Sequence, residues 1–320
     1  MPGDLEPGAA SRPTRRRLVI VHGGLFALTC ITTFVAGTQL SGPFDPVGGA
    51  AFAATLMSIL LFHEMGHYVV ARRHGVDVSL PYFIPLPPFI SLGTMGAVIR
   101  MRQPIRDRNQ LIDVGAAGPL AGLAAAVPLL VLGLWLSPVA VNTSAQGVVE
   151  GNSLAYIALK FLVHGRYLPG ADGADVQLHP VAFAAWVGLL ITMINLIPVG
   201  QLDGGHIASG YLADRHERFS GRLHRFLLVI GGAVFTALVA EARASGWAWS
   251  DALSRALFAS MPWLVWAILL AFLRRMSGGI YHPAVSGPEP THGRRVLVGV
   301  MAIVFLLLFT PVPMRQVIVP

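Results

Sequence analysis

Five consecutive residues, His63-Glu64-Met65-Gly66-His67, set two imidazoles and a carboxylate inside a stretch, 51–71, that is otherwise almost wholly apolar. Residues four apart on a helix share one face, so His63 and His67 can direct ring nitrogens at a single ion. Glu64 can then reach a water at that ion. This H-E-x-x-H spacing is typical of zinc hydrolases, which need two ligands and a general base on one helical turn. The plainer alternative is that both histidines hydrogen-bond a neighbouring helix.

The pentad lies in a chain with the composition of a membrane protein. Apolar residues make up 54% of its 320 positions and charged residues 12%, and the mean hydropathy is +0.64. Soluble domains carry roughly 25% charged residues. An ionisable group within a bilayer costs at least about 2.5–3.5 kcal/mol, so ionisable residues at that depth are retained for a function. The pentad is therefore the first candidate site.

Hydropathy predicts an all-α polytopic membrane protein with about seven transmembrane helices. With a cytoplasmic N-terminus, most of the 23 Lys and Arg fall on the cytoplasmic side, as the positive-inside rule requires. Topology thus explains the net charge of +7, so the lipid bilayer is the expected surrounding and no nucleic acid partner is expected. We expect a multi-pass protein of the bacterial cytoplasmic membrane. The predicted spans lie near 18–41, 51–72, 111–136, 180–198, 223–241, 257–273 and 296–311.

Asp203 is the candidate third ligand, because a catalytic zinc usually takes three protein ligands and a water. It lies in the run N-L-I-P-V-G-Q-L-D-G-G-H from Asn195 to His206, where Pro198 breaks the fourth span. Taken alone, Asp203 could equally be a helix N-cap in an ordinary turn. The topology favours a ligand, because the second and fourth spans both end in the cytoplasmic half of the bilayer. His206 is predicted to support the site or its turn, since a fourth protein ligand would displace the water.

The segment between the second and third spans, 80–100, holds four prolines within eight residues and ends in G-T-M-G-A-V-I-R. This pattern excludes a helix and predicts a short membrane-associated β-hairpin or re-entrant region. Two interpretations stay open for its second strand. The strand is either a structural plug or an edge that pairs with an unwound substrate, in which case Gly93, Thr94 and Gly96 bind substrate.

The paired motifs, HEMGH on one span and NLIPVGQLDGGH on a later one, resemble those of the site-2 protease family of intramembrane zinc metalloproteases. The resemblance covers about 51–211. It implies that one zinc ion is bound by His63, His67 and Asp203, with Glu64 as the general base. It also implies that Asn195 contacts the substrate or the oxyanion.

The start of the third span, D-V-G-A-A-G-P-L-A-G, departs from the family pattern, because many relatives have Asn where this chain has Gly122. Gly122 has no side chain, so the resemblance does not imply a polar role for this position. Gly115, Gly118 and Gly122 recur at helical spacing, which favours close packing of helices in lipid.

The sequence thus predicts an intramembrane zinc endopeptidase that cleaves the transmembrane segments of other membrane proteins. Two rivals are a membrane-anchored HExxH protease acting on soluble or surface peptides, and a non-catalytic metal-binding scaffold. The intact Glu64 disfavours the scaffold, and Asp203 in its glycine-rich turn disfavours the anchored protease. The predicted organisation is a disordered basic N-terminus at 1–17, a first span with an outer loop at 18–50, a catalytic membrane core at 51–211, and three further spans at 212–320.

Overall fold

The computed structural model describes residues 15–40, 44–89, 91–103, 105, 107–141 and 146–318. Most of the predicted disordered N-terminus lies outside these residues, although the first helix already begins at Arg15. The helices are α1 (Arg15–Gly37), α2 (Pro46–Arg73), α3 (Arg108–Trp135), α4 (Leu154–His164), α5 (Pro180–Asn195), α6 (Asp203–Leu212), α7 (His216–Ala244), α8 (Trp249–Met276) and α9 (His292–Leu308). The strands are β1 (Tyr82–Pro85), β2 (Thr94–Val98), β3 (Val139–Val141), β4 (Gln146–Glu150), β5 (Ala174–Val176) and β6 (Met314–Ile318).

Five helical stretches among the described residues are long and apolar enough to cross a membrane. They are Val19–Gly37, α2, α3, α8 and the 42-residue run Asp203–Ala244, in which a 3₁₀ turn at Ala213–Arg215 joins α6 to α7. The predicted spans near 180–198 and 296–311 correspond to α5 and α9, which have only 16 and 17 residues. A span needs about 20 residues. The structure therefore supports five spans, and the count of seven stays a prediction.

The core of the molecule is formed by α2, α3 and α5, which pack against one another, while α6 packs on α3. Phe52 and Leu56 of α2, Leu130 of α3 and Ala185 of α5 are fully buried in one apolar cluster. Because α5 is enclosed by protein along much of its length, its backbone need not match the thickness of the bilayer. This arrangement fixes α2 and α6 relative to each other through α3.

Two paired strands lie between α2 and α3, where the hairpin was predicted, and its membrane-associated or re-entrant position stays a prediction. β1 and β2 are antiparallel, with Tyr82 opposite Val98 and Phe83 opposite Ala97. β1 packs against α1, and among the described residues β2 is paired on one side only. The hairpin therefore leaves one edge of β2 without a strand partner.

Four further strands were not predicted and modify the all-α expectation. β3 pairs with β5, and β4 pairs with β6 near the end of the chain. Beside them Lys160 of α4 is fully buried, and its Nζ donates a hydrogen bond of 3.0 Å to Asp175 of β5. A buried charge needs such a partner, so this pair anchors α4 to the small sheet.

The segment 277–291, between α8 and α9, is fastened to the core by polar contacts. The Gln201 side chain donates to Ser277, and the Tyr281 amide donates to Glu217. At the other end of the segment, the Thr291 amide donates to Asn109 of α3. The segment is thus held against the same end of the core as the turn before Asp203.

Candidate metal centre and active site

α2 delivers three of the site residues on one turn. Asp45 caps the helix by accepting hydrogen bonds from the amides of Val47 and Gly48, and Pro46 occupies the first turn, where its missing N–H costs nothing. The helix then continues to Arg73 without a break. His63, Glu64 and His67 are each at most 6% exposed.

Asp203 reaches the site because the chain turns sharply before α6. Gly200 has a φ of +65°, a left-handed conformation that favours glycine. A Cβ on Gly204 would overlap the carbonyl of Leu196, and one on Gly205 would overlap the carbonyl of Gly200. The glycines after Asp203 therefore let α6 start directly against the preceding turn, with Asp203 as its first residue.

The three side chains converge with the spacing of a metal site. The Nε2 atoms of His63 and His67 lie 3.2 Å apart, and they lie 3.0 and 3.1 Å from the two carboxylate oxygens of Asp203. Ligands about 2.0–2.1 Å from a tetrahedral ion are about 3.3 Å apart, so the donor set fits zinc. Among the described residues, this is the one group of three or more His, Cys, Asp or Glu with such convergence.

His67 is fixed in the tautomer that metal binding needs. Its Nδ1 donates a hydrogen bond of 2.7 Å to the backbone carbonyl of Val114 in α3. In the neutral ring Nε2 then keeps its lone pair and can bind an ion, an arrangement common to metal-binding histidines.

The glycines of α3 lie along the ligand cluster. A Cβ on Gly118 would overlap Nε2 of His67, and one on Gly122 would lie 3.1 Å from Nδ1 of His63. A Cβ on Gly115 would lie 3.0 Å from the backbone oxygen of Asp203. Gly115, Gly118 and Gly122 thus allow the α3 backbone to lie directly against all three ligand residues.

A cavity of about 180 Å³ opens beside the three ligand residues. Glu64 lies at this cavity, next to the backbone of Ile99 just after β2. The side-chain amide of Asn195 lies 3.4 Å from Nε2 of His63. The cavity is lined by the three ligands, Glu64, Asn195, Ala97, Val98, Ile99, Met101, Val114, Gln201, Leu202 and His206.

The predicted substrate residues Gly93, Thr94 and Gly96 lie in the β1–β2 hairpin but do not line the cavity. Gly93, with a φ of +83°, packs against α1, and its carbonyl accepts a 2.6 Å hydrogen bond from Thr32. The Thr94 hydroxyl donates to Ile84 across the hairpin and accepts from the Gly96 amide. These groups hold the hairpin together, whereas Ala97 to Ile99 face the site.

His282 is a neighbour of the site that the sequence pattern did not indicate. It lies in the 277–291 segment, and its Nε2 is 2.8 Å from Nδ1 of His206. The two residues are 76 positions apart, and nothing in the local sequence around His282 marks the contact.

Comparison with known proteins agrees with this geometry. The model of peptidase family M50 matches residues 51–238. Over 169 residues the chain is 37% identical to "Probable zinc metalloprotease EGY1, chloroplastic" of Arabidopsis thaliana, covering 48% of this chain and 28% of the relative. It is 31% identical over 271 residues to "Probable zinc metalloprotease EGY2, chloroplastic" of Oryza sativa subsp. indica, covering 84% of this chain and 43% of the relative.

The chain spans less than half the length of these relatives. No solved structure matches it significantly. The family model covers more than half of the chain, and its matched residues include both motifs and every ligand of the candidate metal centre. The chain therefore belongs to peptidase family M50, the site-2 protease family of membrane metalloproteases.

Proposed function

We propose that this protein is a zinc endopeptidase that cleaves transmembrane segments of other membrane proteins within the bilayer. The observation that carries the proposal is the meeting of a fitting zinc donor set with a buried carboxylate, Glu64, at one cavity between membrane-length helices. The names of the relatives, which call them probable zinc metalloproteases, support the same chemistry.

A zinc ion bound by His63, His67 and Asp203 would act as a Lewis acid and lower the pKa of water at the site. Glu64 takes the proton of the attacking water and delivers it to the leaving amine. Asn195 offers an amide that can hold the substrate backbone or the developing oxyanion. His67 is held for its role by the Val114 carbonyl.

The β2 edge gives the proposed enzyme a way to bind an unwound substrate. A helix hides its carbonyls in backbone hydrogen bonds, so it must open locally before it is attacked. The opened segment needs new partners for its N–H and C=O groups, and an edge strand provides them by β-augmentation. Ala97 and Val98 at the cavity are the part of β2 that fits this role.

Two alternatives remain from the sequence. A membrane-anchored protease would cut soluble or surface peptides outside the bilayer, and a metal-binding scaffold would have no proteolytic activity. The burial of Glu64 at 5% exposure beside the donor set favours catalysis over a scaffold. The setting of the site between membrane-length helices favours substrates that lie in the membrane. We retain seven spans and a cytoplasmic N-terminus as part of the proposal. The bacterial cytoplasmic membrane receives no support from the relatives, which are named chloroplastic.

The deciding experiment uses the purified full chain in lipid nanodiscs together with a panel of single-span proteins. We expect cleavage products whose new ends, located by mass spectrometry, fall inside the transmembrane segment. Treatment with a chelator should abolish the cleavage, and stoichiometric zinc should restore it. Cuts confined to the soluble tails would support the anchored-protease alternative, and no zinc-dependent cleavage of any panel member would refute the proposal.

Replacing Asn195 with Ala should lower the cleavage rate for every substrate by about 2- to 12-fold, since one neutral hydrogen bond contributes about 0.5–1.5 kcal/mol. Zinc content should not change, because Asn195 is not part of the donor set. The matched control is Thr192→Ala, one turn earlier on α5, whose hydroxyl donates to the Gly188 carbonyl and to no other group that the structure describes. Rates are measured per folded protein. An Asn195→Ala loss no larger than that of Thr192→Ala would remove Asn195 from the mechanism.

A further inference from the structure

His282 contacts the helix that begins with the metal ligand Asp203 at two points. Its Nε2 lies 2.8 Å from Nδ1 of His206, and its Nδ1 lies 3.1 Å from the hydroxyl oxygen of Ser209. The same Nδ1 lies 2.7 Å from the backbone carbonyl oxygen of Pro283. The ring of His216 packs edge to face on His282, with centroids 5.7 Å apart. His282 is thus held in one orientation by groups on three sides.

These contacts determine where the ring protons lie. A carbonyl oxygen can only accept a hydrogen bond, so Nδ1 of His282 carries a proton and donates to Pro283. Burial lowers the pKa of His282, which is therefore neutral and has no second ring proton. Its Nε2 must then accept, and the 2.8 Å contact requires His206 to donate from Nδ1.

The other nitrogen of His206 faces a different environment. A positive charge on His206 would be unfavourable beside a bound divalent cation, so its ring is neutral and Nε2 keeps a lone pair. His206 lines the catalytic cavity, and Nε2 makes no hydrogen bond with any residue that the structure describes. Because His282 occupies the Nδ1 side of His206, a hydrogen-bond donor can reach Nε2 from the cavity.

We propose that His282 is a positioning residue that fixes His206 as a hydrogen-bond acceptor for a backbone N–H of the bound peptide. This inference rests on the proposed proteolytic function and deepens it. An extended peptide paired with β2 directs alternate N–H groups away from that strand. Those groups need acceptors elsewhere on the cavity wall, and Nε2 of His206 is a neutral acceptor of this kind. The segment that supplies His282 lies beyond the residues matched by the family model.

The first test reads the tautomer directly and needs no substrate. Solid-state NMR of the zinc-loaded protein, labelled with ¹⁵N at histidine, should show His206 protonated at Nδ1 and unprotonated at Nε2. The His206 signals are assigned by their loss in His206→Gln. In His282→Leu the acceptor is gone, and the Nε2–H form should become populated. His282→Gln places an amide oxygen near the former Nε2 and should preserve the wild-type tautomer. A wild-type protein with protonated Nε2, or no change in His282→Leu, would overturn the proposal.

The second test asks whether the tautomer matters for peptide binding. For a cleavable transmembrane substrate, His282→Leu should raise KM by about 2- to 12-fold, the range for one neutral hydrogen bond, and His282→Gln should restore it. Zinc content, measured by elemental analysis, should be equal in both variants. The control is His292→Leu, the same substitution at an exposed histidine of α9, which should leave KM unchanged.

The outcomes separate this inference from the proposed function. A shifted tautomer with an unchanged KM would overturn the peptide-binding role of His206. Equal losses in His282→Leu and His282→Gln, in proportion to lost folded protein, would reduce His282 to packing and overturn the proposal as well. Failure of the wild-type protein to cleave any substrate would refute the proteolytic function, and the NMR result does not depend on it.

Discussion

Replacing Glu64 with Gln should lower cleavage by at least ~10²–10⁴-fold, the usual contribution of a general base, while zinc stays bound. Gln fills nearly the same volume, but its amide cannot take a proton from the attacking water. The donor set of His63, His67 and Asp203 does not include Glu64, so the substitution leaves the ligands intact. Single-turnover cleavage and elemental analysis on the same preparation measure the two effects together.

The matched control for this variant is Glu289→Gln, which makes the same chemical change at a carboxylate whose side chain is 79% exposed. It should cleave at the wild-type rate. If Glu64→Gln retained full turnover, proton transfer would have to be assigned to another group and the mechanism would be wrong. Loss of zinc from Glu64→Gln would instead show that the carboxylate helps to hold the ion.

The second large effect is expected from a single methyl group on α3. In Gly118→Ala the new Cβ would overlap Nε2 of His67, and a shift of α3 away from the ring would lose the hydrogen bond between His67 and the Val114 carbonyl. Either movement displaces the imidazole from its position relative to the other two ligands. Changes to groups that only support a ligand cost ~10–100-fold in metal affinity. Displacing the ligand itself should cost at least that much, and activity at limiting zinc should fall with it.

Two other glycine-to-alanine variants serve as comparisons for the zinc affinity of Gly118→Ala. Gly122→Ala adds a Cβ 3.1 Å from His63, which a small shift can relieve, so its zinc affinity should fall much less. Gly232→Ala, on α7, places its Cβ in open space and should leave zinc binding unchanged. Competition with a chromogenic chelator gives the three affinities. Equal affinities for Gly118→Ala and Gly232→Ala would mean that α3 does not constrain the ligands.

The convergence of the candidate ligands could be predicted from sequence because they lie in two short segments. His63, Glu64 and His67 share a turn of one uninterrupted helix, so their mutual geometry follows from helical periodicity alone. Asp203 is 140 positions away, and its assignment required the predicted topology and the family resemblance. The match to peptidase family M50 confirms that resemblance.

Which residues of the hairpin face the site, and which distant strands pair, depend on tertiary contacts that a local sequence pattern does not reveal. Gly93, Thr94 and Gly96 were predicted to bind substrate because the strand was recognised. Which part of the strand faces the site, however, is decided by the packing of Gly93 against α1. The pairing of β4 with β6 joins segments more than 160 residues apart, with strands of five residues each. Such short strands carry little periodicity, and their partners are distant.

The span count shows a related limit. Hydropathy finds apolar segments, but it does not separate a helix surrounded by lipid from one surrounded by protein. α5 is apolar because it is enclosed by α2 and α3, and its 16 residues suit that position. Its 16-residue length is therefore why the structure leaves the span near 180–198 a prediction, apart from the five longer spans that it supports.

The separation of 140 positions between His63 and Asp203 also sets an order of events during synthesis. At about 5–20 residues per second, a ribosome needs about 7–28 s to add those residues. Throughout that interval α2 already carries both histidines, while the third ligand does not yet exist. Tight zinc capture must therefore wait until α6 has docked on α3. A nascent chain of the proposed protease consequently stays inactive until its own core is assembled.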